Sequence, residues 1–183
     1  MNVLAFSGSL RTGSWNTKLL AVAVEVLRAR GVTVDLWDFR AANVPIYDPD
    51  TSDANPWPAV LDLKERIRRA KGLVIASPEY NYSMPGALKN LLDSLSRPPK
   101  DNPFRGKLVA QLGATPGPGG TLQGQIMLRH VISGLGALSF PGAYTLSRAG
   151  EAFDDAGQLK DAAQRANLEG FLDRYVAELK LRP

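Results

Sequence analysis

The chain has 183 residues, of which 44% are apolar and 22% are charged, and it contains no cysteine. This length and balance are typical of one globular domain over residues 1–183, and the missing cysteines exclude disulfides, thiol nucleophiles and cysteine-based metal sites. The net charge of +4 favours anionic ligands, but no aromatic residues interleave with the densest basic stretch, residues 64–71, so no nucleic-acid partner is expected.

The amino terminus and the hydropathy of the chain indicate where the protein works. The first residues, MNVLAFSGSL, lack a basic segment followed by a long apolar core, which is the pattern of a secretion signal. No apolar run approaches the length that crosses a bilayer. We therefore expect a cytoplasmic protein with no membrane partner.

The first predicted strand and helix are joined by a loop rich in hydroxyl groups. Residues 2–6 are apolar and favour a strand, and residues 17–30 carry apolar side chains at helical spacing. Between them lies FSGSLRTGSWN, which together with Thr17 places five hydroxyl side chains around Arg11, those of Ser7, Ser9, Thr12, Ser14 and Thr17. Free amide groups and the positive end of the helix dipole meet at such a junction, so it suits an anion. The competing interpretation is that the serines only cap the helix, but one or two would suffice for that.

Two common phosphate motifs are absent from this loop. Ser14 and Trp15 stand where a nucleoside-triphosphate loop needs lysine followed by serine or threonine. Ser9 and Leu10 follow Gly8, so the second glycine of the dinucleotide motif is missing as well. The remaining cradle is rich in hydroxyls and low in charge, which fits a terminal phosphate monoester such as that of FMN.

The middle of the chain predicts a second and a third strand. Residues 32–39 read as the second strand, residues 40–57 as a polar loop with prolines, and residues 58–71 as a helix. Residues 72–77 are continuously apolar, as in a central parallel strand. The loop 78–84 follows, and its two tyrosines and Asn81 offer flat faces and a polar edge to a ring; ordinary packing of the tyrosines is the alternative.

The last third of the chain continues the alternation. A helix opens at residues 85–86, a strand covers 107–112, and the loop GATPGPGGTLQGQ contains five glycines. Such a loop indicates either a close approach of the backbone to a ligand or plain flexibility. A helix over 120–134, a last strand over 137–146 and an amphipathic helix over 154–181 complete the pattern.

Five strands alternating with helices predict an α/β fold with an open parallel sheet covered by helices on both faces. In the order 2-1-3-4-5, which is the flavodoxin-like order, the first and third strands lie side by side at the switch point. The loops after the first, third and fourth strands then meet at one edge of the sheet. We expect the ligand there.

Three segments resemble the NAD(P)H-dependent FMN reductase family, a flavodoxin-like group that includes quinone, chromate and azo-dye reductases. They are GSLRTGSWN (8–16), SPEYNYSMPGALKNLLDSLSR (77–97) and GATPGPGG (113–120). The resemblance implies that the FMN phosphate is held by Ser9, Arg11, Ser14, Asn16 and Thr17. It implies that the isoalloxazine ring is lined by Pro78, Glu79, Tyr80 and Asn81. It implies that the pyrimidine side of the ring is met by Thr115, Gly117 and Gly120, a loop that matches the family least well.

The chemistry implied by this resemblance is hydride transfer from NAD(P)H to FMN, followed by reduction of a quinone, azo, metal-oxyanion or flavin acceptor. The flavin carries the hydride, so no catalytic side chain and no metal is expected. The resemblance also implies a homodimer or a homotetramer. The alternative is a flavodoxin-like electron carrier or sensor that binds flavin without NAD(P)H turnover.

Overall fold

The protein is built on a parallel β-sheet, seen in a computed structural model that describes residues 1–53 and 55–182. Ala54, inside the predicted loop 40–57, and Pro183, the last residue of the predicted domain, lie outside the described residues. The strands are β1 (Asn2–Ser7), β2 (Thr33–Trp37), β3 (Gly72–Ala76), β4 (Leu108–Ala114), β5 (Leu138–Ser139) and β6 (Tyr144–Leu146). The sheet order is β2-β1-β3-β4-β5, and β6 also pairs with β4. The predicted flavodoxin-like order is therefore confirmed.

Helices cover both faces of the sheet. They are α1 (Trp15–Ala29), α2 (Phe39–Ala42), α3 (Pro49–Ser52), α4 (Pro58–Arg69), α5 (Gly86–Leu95), α6 (Leu122–Gly134), α7 (Ala149–Ala152) and α8 (Ala162–Leu181), with a 3-10 turn at Pro99–Asp101. Alternate residues of β1 point to opposite faces, as strand geometry requires. Val3 and Ala5 join the core under α1 and α8, whereas Leu4 and Phe6 join the core under α4, α5 and α6. No helix among the described residues is long and apolar enough to cross a membrane.

The predicted last strand over 137–146 is divided into β5 and β6. β5 pairs with Leu108 and Val109 at the start of β4, and β6 pairs with the end of β4 from Leu112 to Ala114. Pro141 and Gly142 lie between the two strands, and Gly142 has a φ of +76°. A proline has no amide hydrogen for a ladder and a positive φ leaves the extended region, so one continuous strand cannot form there.

The carboxyl-terminal helix begins later than predicted. The stretch before it forms the short α7 and then a bridge between Phe153 and Leu159. Gly157, with a φ of +81°, makes the turn in this segment. Asp161 then caps α8, since its carboxylate accepts hydrogen bonds from the two amides at residues 163 and 164. The predicted buried stripe of α8 is confirmed; its members are Leu168, Phe171, Leu172, Tyr175 and Leu179.

The basic stretch 64–71 is engaged in contacts within the protein. The Lys64 ammonium is buried, and its Nζ lies 2.8 Å from an Asp101 carboxylate oxygen. Arg66 at the same time bonds Asp35 on β2, with 2.6 Å between Nη1 and Oδ1. These cations fasten α4 to its neighbours.

Candidate functional site

Three loops leave the same edge of the sheet at the switch point. The register pairs Ser7 of β1 with Ala76 of β3, and Ala76 with Leu112 of β4. One further backbone hydrogen bond extends each strand pair. Gly8 N–H donates to the Ala76 carbonyl at 2.8 Å between β1 and β3, and Ser77 N–H donates to the Leu112 carbonyl at 2.9 Å between β3 and β4. The loops after β1, β3 and β4 therefore begin next to one another, as predicted.

The first loop, residues 8–14, is shaped by its own hydroxyl groups. Ser7 Oγ accepts a hydrogen bond from Ser9 N–H, and Ser9 Oγ accepts one from Arg11 N–H, each at 3.3 Å. Ser14 Oγ caps α1 by accepting from Asn16 N–H at 3.2 Å. Capping thus accounts for one serine, and the other two serines fold the loop over the amino terminus of α1.

The first loop leaves a set of donors open. In residues 1–53 and 55–182, the amides of Gly13, Trp15 and Thr17 have no protein acceptor. The first turn of α1 contains no acidic residue. The exposed Arg11 side chain makes a single long contact, 3.5 Å from Nη2 to the Gly13 carbonyl. Amide, hydroxyl and guanidinium donors at the positive end of a helix form the donor set that a phosphate monoester requires, so these residues fit it.

The Asn16 side chain is engaged away from this cradle. Asn16 is only 3% exposed. Its Nδ2 donates to the Ala114 carbonyl at 2.9 Å, and its Oδ1 accepts from Ala114 N–H at 2.8 Å. The structure therefore uses Asn16 to fasten α1 to the end of β4, and direct contact with a phosphate stays a prediction.

The second loop forms a tight hairpin. The Tyr80 and Ser83 backbones exchange hydrogen bonds of 2.9 and 3.1 Å, and Asn81 and Tyr82 both have positive φ, 50° and 62°. This is the geometry of a type I′ turn, in which asparagine is common and a bulky aromatic residue is strained. The turn leaves Tyr80 50% exposed and Tyr82 80% exposed. Both rings thus stand at the ligand edge of the sheet.

Glu79 joins the second loop to α6. Its Oε2 accepts a hydrogen bond of 2.8 Å from the amide of Gly124, the third residue of α6. A carboxylate at the amino terminus of a helix is stabilised by the open amides and by the dipole. A Cβ at Gly124 would lie 3.1 Å from Glu79 Cβ, so glycine permits this close approach. The visible role of Glu79 is to hold the loop in place.

The third loop, residues 115–121, is also tied to its surroundings. Thr115 N–H donates to the Leu146 carbonyl at 3.0 Å, and Thr115 Oγ1 accepts from Gly117 N–H at 3.3 Å. Gly120 has a φ of +62°, and a Cβ on it would lie 3.2 Å from Thr145 Oγ1. Glycine at position 120 is therefore required by the path of the loop, and the implied flavin contacts of Thr115, Gly117 and Gly120 stay predictions.

Gln125 is a site residue that the sequence did not reveal. It is 3% exposed on α6, and its Nε2 lies 3.0 Å from the Ser77 carbonyl, 3.1 Å from the Leu112 carbonyl and 3.2 Å from Thr121 Oγ1. It thereby fixes the spacing of the second and third loops. No motif marks it, since a glutamine in a helix reads as an ordinary polar position.

A cavity of about 390 Å³ lies between the first loop and the end of β2. Four of the predicted phosphate residues line it, namely Ser9, Arg11, Ser14 and Thr17. The β2 end contributes residues that the sequence analysis did not place in the site: Leu36, Trp37, Asp38, Phe39 and Arg40. The residues predicted to line the flavin ring do not line this cavity; they lie on the open edge beside it.

Comparison with known proteins adds to this geometry. The family described as NADPH-dependent FMN reductase matches residues 1–151. The chain is 41% identical over 167 residues to an NAD(P)H-dependent FMN reductase of Pseudomonas aeruginosa, covering 90% of this chain and 88% of the relative. It is 38% identical over 139 residues to the quinone reductase of Escherichia coli, covering 75% of this chain and 72% of the relative.

A solved structure shows the same fold over the whole length. It is the flavoenzyme NAD(P)H:(acceptor) oxidoreductase FerB from Paracoccus denitrificans, with a TM-score of 0.86 and 31% identity. The match covers 98% of this chain and 97% of that one. The loops described above therefore lie on a scaffold that a flavoenzyme shares.

Proposed function

Because the chain belongs to the NADPH-dependent FMN reductase family, we propose that it is an oxidoreductase that uses FMN to carry electrons from NAD(P)H to a small acceptor. In this proposal, residues 1–183 act as one FMN-binding domain. The observation that carries it is the open donor set of the first loop, at the switch point of a parallel sheet. This is the edge at which open α/β sheets bind their ligands.

The phosphate of FMN is assigned to the first loop. The amides of residues 13, 15 and 17 have no protein acceptor within the described part of the chain, and Gly13 and Thr17 line the cavity. Ser9 and Ser14 supply further hydroxyls, although each already accepts one bond within the loop. Arg11 adds a charged fork that can bind the phosphate bidentately.

The flavin ring is assigned to the edge formed by the second and third loops. Pro78, Tyr80 and Asn81 offer apolar faces and a polar edge, with Glu79 holding their loop to α6. Thr115, Gly117 and Gly120 of the third loop are assigned to the pyrimidine side of the ring. These residues would hold FMN, which when bound would supply the two-electron chemistry that links NAD(P)H to the acceptor. The residues of the chain bind the flavin, orient it and leave one face open.

A quinone is the acceptor that the comparisons favour, because relatives that align with most of this chain are quinone reductases. Azo dyes, metal oxyanions and free flavin are further acceptors of the proposal. Tyr80 is 50% exposed at this edge, so its side chain does not enclose the proposed ring site. The acceptor therefore has to be found by assay.

The proposed working unit is a homodimer or a dimer of dimers. Leu122, Ile126 and Met127 are exposed along one side of α6, and Tyr82 stands 80% exposed on the neighbouring loop. Aromatic residues and methionine are enriched at the cores of interfaces, and α6 is tied to the second loop through Glu79. A partner on this face would lie beside each flavin.

One assay separates this proposal from the alternative of a flavin-binding carrier or sensor. Purified protein is loaded with FMN, and NADPH or NADH oxidation is followed with quinones, azo dyes and metal oxyanions. Steady turnover supports the reductase, whereas flavin binding with no turnover on any acceptor supports the carrier or sensor. Failure to bind FMN at about one per chain would reject both.

A further inference from the structure

Arg40 links the β2 side of the site to the first loop. It belongs to α2, directly after the end of β2, and its Nη1 donates to the Leu10 carbonyl at 2.8 Å and to Thr12 Oγ1 at 2.5 Å. Both acceptors lie within the loop whose amides are open. The path of that loop therefore depends on a side chain about thirty residues away in the sequence.

The rest of the Arg40 guanidinium is available to a ligand. A guanidinium has five N–H donors, and the two bonds above involve only Nη1. Within residues 1–53 and 55–182, its Nε and Nη2 have no acceptor. Two parallel N–H groups on one edge match the oxygens of a phosphate, and Arg40 lines the 390 Å³ cavity together with the first loop.

The charge of the cavity lining also favours a phosphate. Its charged members are Arg11, Lys18 and Arg40 against a single carboxylate, Asp38. The Asp38 carboxylate accepts a hydrogen bond from the Ala41 amide at 3.1 Å, so it is engaged at the start of α2. A phosphate monoester with two negative charges would balance the excess of cations in this cavity.

Resting on the function proposed above, we infer that Arg40 is a phosphate-recognition residue with two roles. One edge of its guanidinium positions the first loop, and the other binds a phosphate monoester in the cavity. Two molecules of the proposed reaction carry such a group. They are FMN, through its 5′-phosphate, and NADPH, through the 2′-phosphate that NADH lacks.

The test compares ligands with and without the monoester. Arg40→Ala and Arg40→Lys are compared with wild type and with Arg174→Ala, a control at an exposed arginine on α8. Apoprotein is titrated with FMN and with riboflavin, and KM is measured for NADPH and for NADH at saturating FMN. The lysine variant keeps the charge but not the two-pronged edge, so it should fall between wild type and the alanine variant.

The expected result is selective. If the group is the FMN phosphate, Arg40→Ala should weaken FMN about tenfold and change riboflavin affinity less than about twofold. If it is the 2′-phosphate, KM should rise about tenfold for NADPH and stay constant for NADH. The inference would be overturned if Arg40→Ala weakened FMN and riboflavin equally and also raised the KM of NADPH and NADH equally. It would also be overturned if none of these four values changed. A wild-type protein that binds no FMN would instead reject the proposed function.

Discussion

Replacing Asn16 by alanine distinguishes a role in holding the fold from direct contact with phosphate. The pairing of β3 with β4 ends at Ala76 and Leu112, and within the described residues the loop after β3 gives Ala114 no backbone hydrogen bond. The Asn16 side chain therefore supplies both partners of the buried Ala114 backbone, at 2.8 and 2.9 Å. Each buried backbone group left unpaired costs about 1–3 kcal/mol. Since water can reach part of the space that opens, we expect Asn16→Ala to lower the free energy of unfolding by about 2–4 kcal/mol.

The measurement is urea unfolding of the apoprotein, so that no flavin contributes to stability. Asn167→Ala is the matched control, because Asn167 is an exposed asparagine on α8 and its loss should change stability by less than about 0.5 kcal/mol. FMN affinity is measured on the same samples. An Asn16→Ala apoprotein as stable as wild type, with FMN binding lost, would show that Asn16 acts on the phosphate and that the reasoning from its bonds to Ala114 is wrong.

The other predictions concern the cofactor, the packing, the assembly and the pH dependence. Arg11→Ala should weaken FMN binding about tenfold or more, with turnover at saturating FMN near wild type; a large loss of turnover would place Arg11 at the acceptor or the nicotinamide instead. Gly113→Ala should lower the melting temperature strongly, since a Cβ there would lie 1.9 Å from a buried hydroxyl oxygen, and an unchanged melting curve would contradict this. Tyr82→Asp should weaken association of the subunits and lower activity, whereas the neutral Tyr82→Asn should weaken association less. Light scattering over a concentration series measures the association, and a wild-type protein that is fully active as a monomer would refute the prediction. The Lys64 ammonium holds the pKa of Asp101 below its ordinary value, so Asp101→Asn should be less stable than wild type at pH 7. Urea titrations should show this difference in stability shrinking as the pH falls below about 4, where the Asp101 carboxylate becomes protonated. A difference that grows in acid would contradict the prediction.

The fold could be predicted from the sequence because its signals are local. The apolar runs of the central strands, the serine that caps α1 and the leucine face of α5 each depend on residues close in sequence. The crossover rule for parallel strands then leaves few possible orders. The flavodoxin-like order 2-1-3-4-5 is one of them and brings the three loops to one edge, and both features are present in the structure.

The partners of the polar side chains could not be predicted in the same way. Asn16 bonds Ala114, which is 98 residues away, and Glu79 bonds Gly124, which is 45 residues away. An amide or a carboxylate suits a ligand and a buried backbone group equally well, so residue type does not decide between them. The register of the sheet and the position of α6 decide, and these are set by packing over the whole chain.

The same contacts divide the site into two unlike parts. The first loop is held from three sides, by the Ser14 cap of α1, by the Asn16 bond to β4 and by Arg40 beside β2, so its open amides have fixed positions before any ligand arrives. The second loop is held by its own turn, by Glu79 and, where it leaves β3, by Gln125, and its turn keeps Tyr82 exposed in a strained conformation. If the first loop binds the phosphate of FMN as proposed, its fixed amides would do so with little loss of freedom, which favours affinity. The exposed tyrosines of the second loop would leave the proposed ring site open on one side, and this difference follows from where the buried hydrogen bonds lie.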